Sequence, residues 1–172
     1  MECVQSVAKY ICDEYKRVSG ELVDEMKLHK LLYFTQRESL AVTGQPMFDA
    51  DFEGWRHGPV CREVRASFFN GQIYGTQVHK ISPGSAYIAR NVIEGYGPYA
   101  SWKLSELSHR ELSWNRARKG LEFSEDGSRP LLIADIRLDA KNVRPYDFLF
   151  DMYFDEFDDI GEWIDLDKAV AL

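Results

Sequence analysis

The sequence predicts a mainly α protein: a compact helical bundle around one central buried helix, with a small two-stranded β element and a C-terminal acidic amphipathic helix. Three observations carry that prediction. Between Met26 and Val42 the chain is apolar on several faces at once: Leu28, Leu31, Leu32, Thr35, Ser39 and Val42 fall together at 100° per residue, Tyr33 and Leu40 lie opposite, and Phe34 and Ala41 make a third stripe. A helix apolar on several faces must be covered on several faces. Two other stretches, near the two ends of the chain, repeat apolar residues at helical spacing with charges between them, and glycine and proline fall where helices would stop and start.

Taken in order, Val4, Val7, Ala8, Ile11, Cys12 and Tyr15 predict a first helix over residues 2–18, ending before Gly20. Asp24 is the expected N-cap of the central helix, and Gly44, with Pro46 two residues on, its stop signal. Lys30 and Arg37, seven residues apart, mark one of its narrow polar strips. Gly58-Pro59 reads as the start of a further helix, because proline's missing N–H costs nothing in a first turn. That helix is expected to run through Val60, Val64, Phe68 and Phe69 and to stop near Gly71. Thr76 to Ile81 alternates as a short exposed strand would.

Ser82-Pro83 then opens a helix bearing Ile88, Val92, Ile93 and Tyr96 on one face. Ser101 to Ser108 is a short helix that buries Trp102, Leu104 and Leu107 unevenly. Ser113 is the expected cap of a helix starting at Trp114, with Glu111 just outside its positive end. Residues 124–130 are an exposed connection, and Pro130 to Ile136 fits a strand or a loop. In the last segment Phe150, Tyr153, Phe154, Phe157, Ile160, Trp163 and Ile164 follow helical spacing, while Asp151, Asp155, Asp158, Asp159, Glu162 and Asp165 face away. The expected division is a helical domain over 1–123 and an extension over 124–172 packed on it.

Bulk properties narrow the function classes. A chain of 172 residues can bury a core without disulfides, and 45% hydrophobic with 28% charged residues is ordinary for a soluble globular protein. Cys3, Cys12 and Cys61 are odd in number and lack CxxC spacing, which argues against a disulfide framework or structural zinc and for a reducing cytoplasm. No apolar leader and no run of roughly 20 apolar residues is visible, so neither a signal peptide nor a membrane partner is expected. The net charge of -7 is uneven: from Asp147 onward nine acidic residues face one lysine, for -8, leaving 19 acidic and 20 basic residues elsewhere, for +1. The acidity belongs to the C-terminal segment, and the body is neutral.

Candidate chemistry is sparse. His29, His57 and His109 with Glu111 form no HExxH pattern and no ligand pair on a helix face, so no metal, no cofactor and no catalytic residue is assigned. His57, beside Gly58-Pro59, reads as an imidazole bridging backbone groups at a helix start. Cys61, one residue into that helix, would need His57 as a base to act as a nucleophile. An enzyme built on His57, Cys61 or His109 requires the three to line one cleft. Arg56, Arg62, Arg65, Arg90, Arg116, Arg118 and Lys119 would have to gather into one face for direct nucleic-acid binding, which the acidic segment disfavours.

Three ordered blocks carry a family resemblance: KLHKLLYFTQ from Lys27, PMFDADFEGWRHGPVCREV from Pro46, and YGPYASWKLSELSHRELSWNRAR from Tyr96. They resemble the Panacea family, also called the SocA-like antitoxin domain or the phage-associated GepA family. Its pattern is a KLxKLLYF-type helix, a PLF-type turn, an AW pair, an HGPV step, and LSxxTH and PWxxAR stretches. Gly54 stands where alanine is usual, Ser108 replaces threonine, and Ser113 replaces the proline before Trp114. The resemblance implies an antitoxin of a bacterial or phage toxin-antitoxin module that neutralises a cognate protein toxin by direct contact. SocA-type members imply an alternative, a proteolytic adaptor delivering the toxin to a cytosolic protease; a nucleic-acid-binding regulator is the remaining alternative, and a homo-oligomer stays open. Trp55, Arg56 and His57, together with Asp155, Asp158, Asp159 and Trp163 in the acidic segment, are the candidate partner-binding residues: aromatic anchors and carboxylates that steer a basic partner. Leu31, Leu32, Tyr33, Trp55, Pro59 and Trp114 read as framework, so Trp55 stands in both groups.

Overall fold

The computed structural model describes residues 1–75, 77–145 and 147. Its elements run α1 (Val4–Ser19), α2 (Glu25–Thr43), β1 (Phe52–Trp55), β2 (Gly58–Cys61), α3 (Arg62–Ser67), β3 (Phe68–Phe69), β4 (Gln72–Ile73), α4 (Pro83–Tyr96), α5 (Ser101–Ser108), α6 (Leu112–Ala117) and α7 (Ile133–Lys141). The protein is mainly α, with two small antiparallel hairpins, β1–β2 and β3–β4. No helix among the described residues is long and apolar enough to cross a membrane.

α2 is the centre of the bundle, packed against α1, α4, α5, α7 and β2. Its boundaries follow the local chemistry. The Asp24 carboxylate accepts the Lys27 amide at 2.9 Å, and Gly44 closes the helix at φ 72°, a left-handed conformation that glycine adopts without a Cβ penalty. From Lys27 to Leu40 every α2 residue is buried. Leu28, Leu31, Leu32, Tyr33 and Phe34 are entirely covered, each contributing about 1.5–3 kcal/mol of apolar burial. Val42, in the last turn, is exposed instead. The polar strip is not at the surface either: Lys30 and Arg37 are 1% and 4% exposed.

Arg37 is held by a buried network that ties α2 to α4, α6 and α7. Its guanidinium meets Glu111 at 2.5 Å, Glu38 at 2.9 Å and the Tyr96 hydroxyl at 2.7 Å. Burial alone would lower its pKa; the neighbouring Glu111, Tyr96 and Glu38 outweigh burial and keep it charged. Tyr33 joins the same network through Ser113 at 2.9 Å and Asp139 at 3.3 Å.

Several expectations are corrected. No helix starts at Pro59: residues 58–61 are a strand paired to 52–55 in the register Phe52↔Cys61 and Gly54↔Pro59, and α3 begins only at Arg62. Pro59 is tolerated because β1 turns its other edge to Pro130, leaving β2 at the sheet edge. Phe68 and Phe69 belong to β3, joined to β4 by Asn70-Gly71, both with positive φ. That dipeptide is a strong hairpin signal that the helical stripe concealed. Residues 77–81 form no strand, and Thr76 lies outside the described residues.

Ser113 is not the cap of α6. Glu111 occupies the N-cap position with its carboxylate turned to Arg37, and Asp139 of α7 accepts the Leu112 and Ser113 amides at 2.7 and 3.0 Å. Past the bridge at Pro130 the chain is helical from Ile133, neither strand nor loop. The inward face of α7 carries Asp135 and Asp139 beside Ile136 and Ala140, so its apolar period is invisible in the sequence. The predicted acidic helix, with Asp155, Asp158, Asp159 and Trp163, lies outside the described residues.

Candidate functional site

The three sequence blocks meet at the β1–β2 turn. Lys30 of α2 reaches the Pro59 carbonyl at 3.1 Å, Ser105 of α5 reaches the His57 carbonyl at 2.9 Å, and the Trp114 indole of α6 reaches the Trp55 carbonyl at 2.9 Å. Each bond places a side-chain donor on a backbone oxygen of the hairpin or its turn. Gly58 makes this convergence possible: at φ 100° it carries no Cβ, and one placed there would collide with Ser108 Oγ and sit 2.5 Å from Lys30 Cε. Gly54 is fitted in the same way, since a Cβ would lie 3.0 Å from that of Ala117.

Held from three sides, the turn presents Trp55 and Arg56 half-buried and His57 exposed. These three residues line one cleft of about 190 Å³ with His29 and Lys30 of α2. Glu25, Arg65 and Asp126 complete its charged rim. The Arg65 guanidinium lies 4.5 Å over the Trp55 ring and 3.1 Å from Glu25, and the Trp55 indole donates to Glu53 at 2.8 Å. Trp55, Arg56 and His57 thus share this cleft.

His57 is exposed and carries no backbone bridge among the described residues; His29 instead meets backbone, its Nδ1 accepting the Cys61 amide at 3.4 Å. Burial, then the neighbouring charges of Lys30 and Arg65, push His29 down to about 3. Lys30 is likewise pushed down to about 7 by burial, against a weak opposing pull from Asp24. Neither was singled out for this cleft from the sequence.

The depressed His29 predicts an acid-sensitive fold. Between pH 6.5 and about 3 the unfolded chain binds a proton that the folded chain refuses, so stability present above 6.5 is lost on acidification. At pH 4.5 the wild type is expected to have lost about 2–3 kcal/mol more than His29→Gln, relative to pH 7. Urea unfolding at the two pH values measures this, and parallel losses would show that His29 titrates normally.

Cys61 is fully buried, its thiol raised by desolvation, and it does not line the cleft that His57 lines. His109 stacks on Trp114 at 4.1 Å and meets the Arg56 backbone, without lining that cleft. Among the described residues no group of three or more His, Cys, Asp or Glu is placed to hold a metal ion. Of the candidate basic residues, Arg56 and Arg65 share the cleft; Arg62 pairs with Glu53, Arg90 with Glu14 and Arg116 with Asp135, while Arg118 is buried against the carbonyls of Gly54, Glu122 and Glu125.

Residues 28–115, just over half of the chain, match the family described as antitoxin SocA-like, Panacea domain. The chain matches no curated protein and no solved structure.

Proposed function

The chain belongs to the SocA-like antitoxin family by its Panacea domain, and from that premise we propose that it is a cytoplasmic antitoxin that neutralises a cognate protein toxin by direct contact. The observation that carries this reading is the presentation of Trp55, Arg56 and His57 at one rigid turn, clamped by α2, α5 and α6. Tryptophan and arginine are the side chains that dominate binding energy at protein interfaces, and a preorganised frame lowers the entropy cost of using them. The task requires masking and no turnover.

The second contact surface is the acidic segment, with Asp155, Asp158, Asp159 and Trp163 as its anchors. Its charge of -8 would steer a basic toxin and cover the surface that the toxin needs. The test is growth rescue on co-expression with the toxin encoded by the neighbouring reading frame. Reversing Asp155, Asp158 and Asp159 to lysine is expected to abolish rescue while the melting temperature holds; rescue at the wild-type level would remove the segment from the interface. Co-purification of the two chains tests the complex directly, and a chain that rescues without ever binding the toxin would overturn the reading.

A further inference from the structure

Around the hairpin cleft, three nitrogens have donor capacity that the described residues leave unused. The His29 ring is 2% exposed; because its Nδ1 accepts the Cys61 amide, the proton of the neutral ring sits on Nε2. That Nε2 has no hydrogen-bond partner, and the Glu25 carboxylate oxygen lies 3.8 Å from it, beyond hydrogen-bond length. The Arg56 Nε is buried and also lacks a partner. The Lys30 ammonium, 1% exposed, has three protons and one acceptor, the Pro59 carbonyl.

Buried donors are normally satisfied, and leaving them unmade is costly. A hairpin clamp alone needs one bond from Lys30 and none from Arg56 Nε or His29 Nε2. The surplus points to an acceptor that arrives from outside.

We propose that this cleft is a carboxylate receptor, taking a single carboxylate on Lys30, Arg56 and His29 beside the Trp55 ring. The rim selects the charge of the ligand. With Lys30 protonated, Lys30, Arg56 and Arg65 face Glu25 and Asp126, which leaves one net positive charge, and Arg65 is already engaged by Glu25. A monoanion neutralises that charge; a dianionic phosphate would meet two rim carboxylates. A neutral amide would leave the buried ammonium without a counter-charge. A volume of about 190 Å³ accommodates a carboxylate on a short carbon stem. The group can come from a partner's aspartate or glutamate side chain or from a small free acid. The peptide-borne form rests on the antitoxin reading; carboxylate binding itself does not.

The experiment is an NMR titration of the ¹⁵N-labelled full chain, following the Trp55 indole and Arg56 Nε–H signals. The probes are N-acetylglutamate N-methylamide, its glutamine counterpart, propionate and inorganic phosphate. The glutamate mimic is expected to shift both signals saturably and to bind at least about tenfold tighter than the glutamine mimic. Arg56→Gln should weaken it by about tenfold, read on the Trp55 indole with the melting temperature unchanged, and Lys30→Met should abolish it. Propionate binding well below the glutamate mimic assigns the group to a peptide; equal binding assigns it to a free acid. No saturable shift, equal response to the glutamate and glutamine mimics, or tighter binding of phosphate overturns the proposal. The titration uses the chain alone, so its failure leaves toxin rescue by the wild type intact, and a failed rescue leaves the titration intact.

Discussion

Lys30→Met is expected to raise the stability of the chain below pH 7 while removing carboxylate binding and toxin rescue. The lysine is 1% exposed, holds one carbonyl at 3.1 Å, and is pushed down from 10.5 to about 7 chiefly by burial. Below pH 7 it is charged in both the folded and the unfolded chain, and the folded chain bears the full desolvation cost, on the order of 4 kcal/mol. Between about 7 and 10.5 the folded chain has released the proton that the unfolded chain still holds, so stability climbs with pH. Methionine has nearly the same stem and no charge; it forfeits the bond to Pro59, worth roughly 1–3 kcal/mol once the carbonyl is left unmade. The net gain is about 1–3 kcal/mol below pH 7, a few degrees in melting temperature; it should vanish at about pH 8–9 and reverse by about pH 10, where only the lost Pro59 bond remains. Denaturant unfolding at pH 6, 8 and 10 measures it. A methionine variant destabilised equally at every pH would make Lys30 a plain strut.

A residue whose removal stabilises the fold and destroys function is retained for the function. Such a residue is also the kind that pattern reading misplaces. The period of α2 put Lys30 and Arg37 on a polar strip, which a solvent-facing strip and a buried network satisfy equally. Only the arrival of β2 at Lys30, and of Glu111 and Tyr96 at Arg37, decides between them. What the sequence carries locally was legible: the Asp24 and Ser82 caps, the Gly20 and Gly44 stops and the many-sided apolar surface of α2 all stand where their chemistry puts them.

The elements that were misread depend on partners distant in the chain. The hairpin strands are four residues each, with Gly54 opposite Pro59, two poor strand formers held in place by Lys30, Ser105 and Trp114. α7 hides its period because its inner carboxylates are needed by α6, and α6 borrows its cap from Asp139, 27 residues beyond Leu112. The Asn70-Gly71 hairpin differs: its signal was local and was overridden by a run of apolar residues at helical spacing. At the candidate site the turn Trp55-Arg56-His57 stands out by composition. Its floor, His29 and Lys30, does not, because burial of a charged residue is a tertiary fact.

Gly58→Ala should have the opposite signature from Lys30→Met, with stability and function lost together. At φ 100° any L side chain is strained, and the new methyl group would be driven into Ser108 Oγ and to 2.5 Å from Lys30 Cε. Neither neighbour has room to retreat: Ser108 is fully buried and donates to the Ser105 carbonyl at 2.7 Å, and Lys30 is fixed on Pro59. Strain and overpacking together are expected to cost about 3–5 kcal/mol, or roughly 10 °C in melting temperature. Gly84→Ala is the matching control, since that glycine lies in α4 with nothing within 4 Å of an added Cβ, and it should be neutral or gain up to about 1 kcal/mol. If Gly58→Ala melted within two or three degrees of the wild type, the turn would have to be soft enough to move away from α5. A soft turn could not hold Arg56, His29 and Lys30 around one anion, so the melting curve of this single variant bears on the receptor as directly as it bears on the fold.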